Sequence, residues 1–434
     1  MTTAEAFSTF LDNIKVSSEQ AKLIRNRYNE ITKKLNKTFR DTDSETANSL
    51  RVGSYGRYTG IKGISDLDML YIMPNSLWET YEDKPGNLLS DVKEALRDRY
   101  PKTKMRKDNL VVVVDFSNFK IEVQPVFEFL DDGEKVASYK YPTTKDGGAY
   151  KVTKPRHEQQ AMIDFKQNHG THHRLLCKML RAWKDNVGLP MGGLLIDTLA
   201  YCFCINNSKY DNRGYASFGE LTMDFFEYLK DEPKQDYYLA LGSKQRVKVK
   251  SVFQSKAKQA YKECNKALEE TSEETKHKRW RNVFGNSFPK GKTLSESRSF
   301  SDTEEFIEDK YPIDIRYNLS INCRVTRDGF PPQLLQDILN QTKKVLRVRH
   351  LEFYIEFTNV PKPYEVKWKV LNIGAEAERR NCVRGQIISS NREQEKRVEN
   401  SDFWGDHYVE CYIIKDELVV ARNRISVPIS TNED

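Results

Sequence analysis

Apolar residues recur at helical spacing through the first forty positions: Phe7, Phe10, Leu11 and Ile14, then Ile24, Tyr28, Ile31 and Leu35. This is the stripe of an amphipathic helix. Ser17-Ser18-Glu19-Gln20 between the runs supplies a break and an N-cap hydroxyl, so two helices are expected within 4–40. The stretch 41–48 is polar and loop-like. Asp66-Leu67-Asp68-Met69 then alternates into the apolar Leu70-Tyr71-Ile72-Met73, as a strand does, and Pro74-Asn75 stops it. Leu88, Leu89, Val92 and Leu96 predict a helix over 87–99. Residues 110–116 and 119–129 read as strands, paired as a hairpin over Ser117-Asn118. The order helix, strand, helix, strand, strand fits a small mixed sheet backed by helices.

From 156 to 285 the pattern turns helical. Leu175, Leu176, Met179, Leu180 and Trp183 mark one amphipathic helix, and Leu194, Leu195, Thr198, Leu199, Tyr201 and Cys202 a more buried one. The stretch 284–303 is rich in Gly, Ser and Lys and reads as a linker. Beyond it, 311–327, 351–358, 364–373 and 406–428 favour strands. The fold class expected is α+β. It comprises a core over 1–285 (sheet part about 40–135, helical part about 156–285), a linker at 286–303 and a β-rich domain at 304–430.

Composition narrows this only a little. The 434 residues allow two or three domains. A charged fraction of 31% lowers the apolar share, but 22 Tyr and 21 Phe supply enough bulk for packed cores and argue against global disorder. A net charge of +7 favours anionic ligands without implying duplex DNA. The seven Cys are scattered and lack zinc-ligand spacing; Cys202-x-Cys204 sits in an apolar stretch and reads as core. Reduced thiols, no leader-like n- and h-regions and no run of about 18 apolar residues point to a cytoplasmic protein with no membrane span.

Candidate chemistry lies in residues 53–68. Asp66 and Asp68 are i and i+2 on a strand, so they share a face. Two adjacent carboxylates repel unless a cation lies between them. Oxygen-only ligands suit Mg²⁺, with Mn²⁺ a second candidate, and a pair of such ions serves phosphoryl transfer. Gly53-Ser54 stands twelve residues upstream of Asp66. Gly permits close backbone approach to phosphate, and the Ser hydroxyl with nearby N–H groups holds phosphate oxygens. Arg57 and Lys62 add positive charge. A third acid is needed; Asp115 and Glu122 are the candidates. Glu122 is preferred because its apolar flanks demand a partner for a buried carboxylate. Residues 244–262 carry seven Lys/Arg and no acid, which fits a solvated face or a contact to triphosphate or nucleic acid.

Gly53-Ser-Tyr-Gly-Arg-Tyr-Thr-Gly-Ile-Lys-Gly-Ile-Ser-Asp66-Leu-Asp68 resembles the signature of the polymerase-β-like nucleotidyltransferases. With Arg57, Thr59, the stretch 61–68 and the segment 120–127, it resembles the bacterial cGAS/DncV-like synthases of the SMODS type. That resemblance implies a nucleotidyltransferase palm with a helical subdomain and a Mg²⁺-dependent enzyme with two ions. It implies Asp66, Asp68 and Glu122 as metal ligands and catalytic residues. The product implied is a cyclic oligonucleotide second messenger made from ATP and other NTPs with release of pyrophosphate, in CBASS-type anti-phage signalling. A nucleic-acid or phage-derived activator and a downstream effector reached through the product belong to the same picture. Gly53, Ser54 and Arg57 are the implied nucleotide contacts on the turn. Arg181 in Lys178-Met-Leu-Arg181-Ala-Trp183 stands where the family usually has a triphosphate-binding Lys; Lys178 lies one turn earlier, and Gly193 replaces a frequent Ser. The segments at 363–377, 380–387 and 403–415 resemble the adenylyl/guanylyl cyclase and SMODS C-terminal sensor domain. Trp368, Asn372, Arg384, Trp404, His407 and Glu410 are the residues there that would line a ligand site or else serve as core or turn residues.

Other readings share these residues. A linear transferase acting on RNA, protein or a small molecule uses the same triad, a ligand-sensing module would make catalysis incidental, and antibiotic-modifying transferases share Gly-Ser and Asp-x-Asp but usually lack the long C-terminal region.

Overall fold

In the computed structural model, residues 1–434 are described apart from 64, 132, 134, 292–304, 328, 343, 347–348, 373–375, 377–384, 391–394, 402–403 and 431–434. The expected linker falls largely on the segment outside the described residues, as does Arg384. The chain divides into two compact units. One is Thr2–Ala182 with Gly192–Leu268; the other comprises Met1, Trp183–Met191 and Glu269–Asp434.

The first unit opens with the two expected helices, α1 (Thr3–Asn13) and α2 (Ser18–Arg40). The Ser17 hydroxyl accepts from the Gln20 N–H at 3.1 Å, which fixes the start of α2. Strand β1 (Ser49–Arg51) leads into the short helix α3 (Gly53–Gly56), and β2 (Asp66–Ile72) follows. After α4 (Trp78–Tyr81) and α5 (Pro85–Arg99) come β3 (Lys104–Asp108), β4 (Val111–Asp115) and β5 (Lys120–Phe129). The sheet order is β1-β2-β5-β4-β3. β2 and β5 are parallel, whereas β4 and β5 form the antiparallel hairpin expected over Ser117-Asn118. The far end of β5 also pairs with β6 (Ser138–Thr143), which pairs with β7 (Ala149–Thr153).

Alternation along β2 decides what each face does. Leu67, Met69 and Tyr71 are fully buried and share one core with Ile24, Ile31 and Leu35 of α2 and Leu88, Leu89, Val92 and Leu96 of α5. Leu70 and Ile72 point the other way, into a smaller cluster with Val126 and Tyr139. Asp66 and Asp68 share that second face at the start of the strand, where the apolar cluster has not yet begun.

The helical part of the chain consists of α6 (Pro155–His169), α7 (His172–Asn186), α8 (Gly193–Ile205), α9 (Phe218–Asp231), α10 (Gln254–Glu269) and α11 (Glu273–Phe284). The helical expectation for 156–285 holds except for a two-stranded ribbon between α9 and α10. There, β8 (Tyr237–Leu239) pairs antiparallel with β9 (Arg246–Lys248). The basic run is therefore not one helix face: it begins in the ribbon and ends in α10. Periodicity over so short a strand cannot outvote a helical window on both sides.

The second unit is β-rich, as expected. One sheet among the described residues runs Gln333–Leu334, Leu319–Thr326, His350–Thr358, Arg397–Asn400. Another runs Val345–Leu346, Leu418–Ser430, Gly405–Lys415, Glu365–Leu371, Ile387–Ser389. Trp368, Phe353, Cys411 and Ile413 form part of a common core. Glu410 is buried and accepts from Arg422 Nη2 at 2.9 Å, Arg424 Nη2 at 2.8 Å and the Tyr412 hydroxyl at 2.6 Å.

Candidate active site

The parallel register of β2 and β5 sets Asp68 directly opposite Glu122 and Asp66 opposite Lys120. Acids far apart in the sequence thereby come to lie one strand spacing apart. The other acid weighed from sequence, Asp115, pairs instead across the hairpin with Lys104 and Lys120. Burial, and then the adjacent Asp68 carboxylate with Asp108 behind it, push the Glu122 carboxyl up to about 7. A carboxyl raised by like charge is one that a cation would relieve.

Gly53 is required by what lies beneath it. Its φ is +63°, and a Cβ built there would overlap the Asp68 carboxylate at Oδ2. The turn is thus laid flat on the acid. Its surroundings are fixed by backbone bonds: the Asp68 carbonyl accepts from the Val52 N–H at 3.1 Å and from the Tyr28 hydroxyl at 2.8 Å. The Ser54 carbonyl accepts from the N–H groups of Thr59 and Gly60 at 2.9 and 3.1 Å, closing the loop after α3. Gly53, Ser54, Asp66, Asp68 and Glu122 therefore lie in one locality, with Glu122 brought there by the strand pairing.

Arg57 and Arg181 belong to a different arrangement. Both are buried, and both spend their guanidinium groups on Asp197 of α8. Arg57 Nε donates to Asp197 Oδ2 at 2.8 Å and its Nη1 to Glu158 at 3.0 Å. Arg181 donates from Nη1 to Oδ1 at 2.7 Å and from Nη2 to Oδ2 at 3.0 Å, a bidentate fork. The Thr59 hydroxyl adds a third donor at 3.1 Å. Burial alone would raise Asp197, but Arg181 and Arg57 outweigh it and hold the carboxyl far below its ordinary range. This hub ties the end of the Gly53-Ser54 loop to α6, α7 and α8. Asp197, Glu158 and Thr59 were not singled out from sequence as site residues. A usable signal was present for Asp197: an acid inside Leu194-Leu-Ile-Asp-Thr-Leu-Ala-Tyr, the most apolar helix of the unit, must have a buried partner.

Lys178 is half-buried on the same helix as Arg181. Burial, and then the like charges of Lys15, Arg174 and Arg181, lower its ammonium below the usual lysine range. Arg174 lies over the Tyr58 ring at 4.9 Å, and the Lys62 N–H donates to the Ile14 carbonyl at 2.7 Å, which brings the loop, the end of α1 and this face of α7 together.

The donor type fits a divalent cation: oxygen ligands, two of them opposed in register, with one raised by burial and by the like charge beside it. Among the described residues, no group of three His, Cys, Asp or Glu side chains is drawn together closely enough to hold a metal ion. In the other unit, Trp368 is core, its indole N–H donating to the Glu395 carbonyl at 3.1 Å, His407 is buried, Trp404 is 45% exposed, and Glu410 is engaged by its two arginines. No described helix is long and apolar enough to cross a membrane.

Two family models match the chain. Residues 1–165 match the Second Messenger Oligonucleotide or Dinucleotide Synthetase domain. Residues 301–430 match the Adenylyl/Guanylyl and SMODS C-terminal sensor domain. No curated protein matches. Among solved structures, CdnC of E. coli MS115-1 in complex with HORMA-deltaN is similar with a TM-score of 0.52 at 14% identity, covering 66% of this chain and 98% of that one. The same protein with ATP gives 0.50 at 15%, with the same coverage. The Vibrio cholerae cyclic AMP-GMP synthase DncV gives 0.45 at 16%, over 67% and 88%. The turn lies on Asp68, Asp68 opposes Glu122, and both family models match in the expected order; the chain thus carries a Second Messenger Oligonucleotide or Dinucleotide Synthetase domain followed by an Adenylyl/Guanylyl and SMODS C-terminal sensor domain.

Proposed function

We propose that the chain condenses ATP and other nucleoside triphosphates into a cyclic oligonucleotide, releasing pyrophosphate at each step, as a cytoplasmic signal in anti-phage defence. The observation that carries this reading is the opposition of Asp68 and Glu122 under a glycine turn that touches Asp68 itself. Asp66, Asp68 and Glu122 would hold Mg²⁺, which supplies charge neutralisation at the triphosphate and lowers the pKa of the acceptor hydroxyl.

The chain's own groups do the rest. The Gly53-Ser54 turn offers a hydroxyl and backbone N–H groups to the donor phosphates. Lys178, crowded by cations, gains an anionic neighbour when triphosphate arrives. The acceptor ribose oxygen forms a bond to the α-phosphorus as the bond from that phosphorus to the bridging oxygen of pyrophosphate breaks; the hydroxyl proton leaves toward the carboxylate face of β2 and β5. A second attack by the far end of the linear intermediate closes the ring. ATP as a substrate agrees with the CdnC structure solved with ATP.

The test is incubation with labelled NTPs and Mg²⁺, followed by phosphatase and mass spectrometry. A phosphatase- and exonuclease-resistant product that disappears in Asp68→Asn is expected. An exonuclease-sensitive product would replace the cyclic reading by a linear transferase, and no product under any activating condition would remove the enzyme reading.

A further inference from the structure

The β8–β9 ribbon has features that NTP condensation does not use. On β9, Arg246 and Lys248 are exposed, and Lys250 follows in the same alternation. The pairing continues past the strand: the Val249 N–H donates to the Asp236 carbonyl at 2.8 Å. The cations therefore project from one face, two residues apart. Val247 and Val249, on the alternate positions, are half-buried. Register places Leu239 opposite Arg246 and Tyr237 opposite Lys248, so both join the cationic face, and both are exposed. The Arg246 guanidinium lies over the Tyr237 ring at 4.4 Å, forming a two-layer planar platform. None of Arg246, Lys248 and Lys250 is in an ion pair with a described acid.

The ribbon is also held rigid. Gln245 accepts from the Lys154 N–H at 2.9 Å and donates to the Val152 carbonyl at 2.9 Å. The Leu241 N–H donates to the Thr198 hydroxyl at 3.3 Å, and Gly242, at φ +66°, lies so close to the His157 carbonyl that a Cβ would overlap it. With the backbone already held, binding has to order only the side chains.

Spacing then fits a phosphate backbone. A polypeptide has three backbone bonds per residue and a nucleic acid six per nucleotide, so a two-residue step of a strand, about 6.7 Å, matches one nucleotide of a stretched single strand. In a duplex the base faces are covered by their stacked neighbours, so the exposed Tyr237–Arg246 platform is what favours an unpaired strand. We propose that the Arg246–Lys248–Lys250 row, with the Tyr237–Arg246 platform, binds the backbone of single-stranded nucleic acid and stacks one of its bases. Aromatic and guanidinium planes are the usual stacking surfaces for unpaired bases. The inference stands independently of the synthase reading.

The test uses the full-length protein in EDTA, which keeps divalent cations from the acidic face, and a fluorescein-labelled twelve-nucleotide oligo-U, read by anisotropy across a salt series. Binding at low salt is expected. In the triple variant Arg246→Gln, Lys248→Gln, Lys250→Gln, affinity is expected to fall at least ~10-fold. The log–log salt slope should become shallower by about 2, at roughly 0.7 for each phosphate no longer neutralised. The melting temperature should be unchanged, since the three side chains are exposed. Tyr237→Ser should weaken binding without altering the slope. Absence of oligo-U binding, an unaltered slope in the triple variant, or equally tight binding of the matching duplex would each overturn the proposal. So would an equal loss in Lys258→Gln, Lys262→Gln, Lys266→Gln, the exposed stripe of α10, because general surface charge would then explain the binding.

Discussion

Glu122 and Asp197 are both carboxylates withdrawn from water in the same unit, yet their environments are opposite. Glu122 faces Asp68 and is pushed up to about 7; Asp197 is gripped by Arg57 and Arg181 and held far below its ordinary range. Burial raises both. The sign of the nearest charge decides the outcome. A buried acid whose neighbours neutralise it is structural material, whereas one whose neighbours repel it is a place left for a ligand of opposite sign. Lys178 repeats the second pattern with the charge reversed, lying among Lys15, Arg174 and Arg181.

The largest expected effect breaks the repelled pair by chemistry. Asp68→Asn leaves the strand, the turn and the buried face of β2 unchanged, so the protein should fold and melt normally. Product formation should fall by roughly 10³-fold or more, because the groups holding the reacting phosphate act as a unit. Retention of more than a tenth of the parental rate would show that the chemistry lies elsewhere.

Breaking the neutralised hub should do the reverse. Asp197→Asn removes the charge that two buried guanidiniums require, and uncompensated buried charge costs about 3–5 kcal/mol. The melting temperature should drop by many degrees, and activity should fall with the folded fraction. If Asp197→Asn melts like the parent, the hub is not structural.

How far this contrast was legible from sequence depends on which distances the chain hides. Asp66, Asp68 and the Gly53 turn are close neighbours in the chain, and a strand's period of two puts the acids on one face without further information. Glu122 could be proposed because an acid between apolar residues needs a partner, but only the parallel pairing of β2 and β5 identifies that partner as Asp68. Arg57 and Arg181 were legible as cations near the site and not as partners of Asp197. That pairing joins positions 57, 181 and 197 through three elements, and no local pattern encodes it. The helices and the main strands followed from periodicity. The β8–β9 ribbon did not, because three-residue strands lie below the window in which a period can be read.

Glu122 gives a pH-resolved version of the comparison. Its folded pKa of about 7 lies above the ordinary 4.5. Between those values the folded protein binds the extra proton, so stability declines as pH rises from about 4.5 to about 7, and the full cost is present above 7. Glu122→Gln removes the titration. In EDTA the variant should be more stable than the parent by about 1–3 kcal/mol at about pH 8, with the gap closing near pH 4.5. Thermal melts at the two pH values measure it. A variant less stable than the parent in the alkaline melt would mean that Glu122 is already neutralised within the protein, as Asp197 is.

The smallest effect concerns Lys178, the cationic counterpart. Burial disfavours its charge and its neighbours repel it, so its removal should cost the ligand-free protein little and should slightly relieve Lys15 and Arg174. The loss should appear only when an anion is bound. One charge-assisted contact to a phosphate contributes about 1–2 kcal/mol, so Lys178→Ala should raise KM for ATP roughly 5–30-fold while changing kcat much less. Arg181→Lys makes the control within the same helix: its fork is committed to Asp197, and a single ammonium cannot reproduce a bidentate pair. It should therefore lower the melting temperature before it changes KM. If instead Lys178→Ala destabilises the protein and Arg181→Lys raises KM alone, the roles of the two cations are exchanged, and the charge pattern of the neighbours does not distinguish a ligand contact from a structural one.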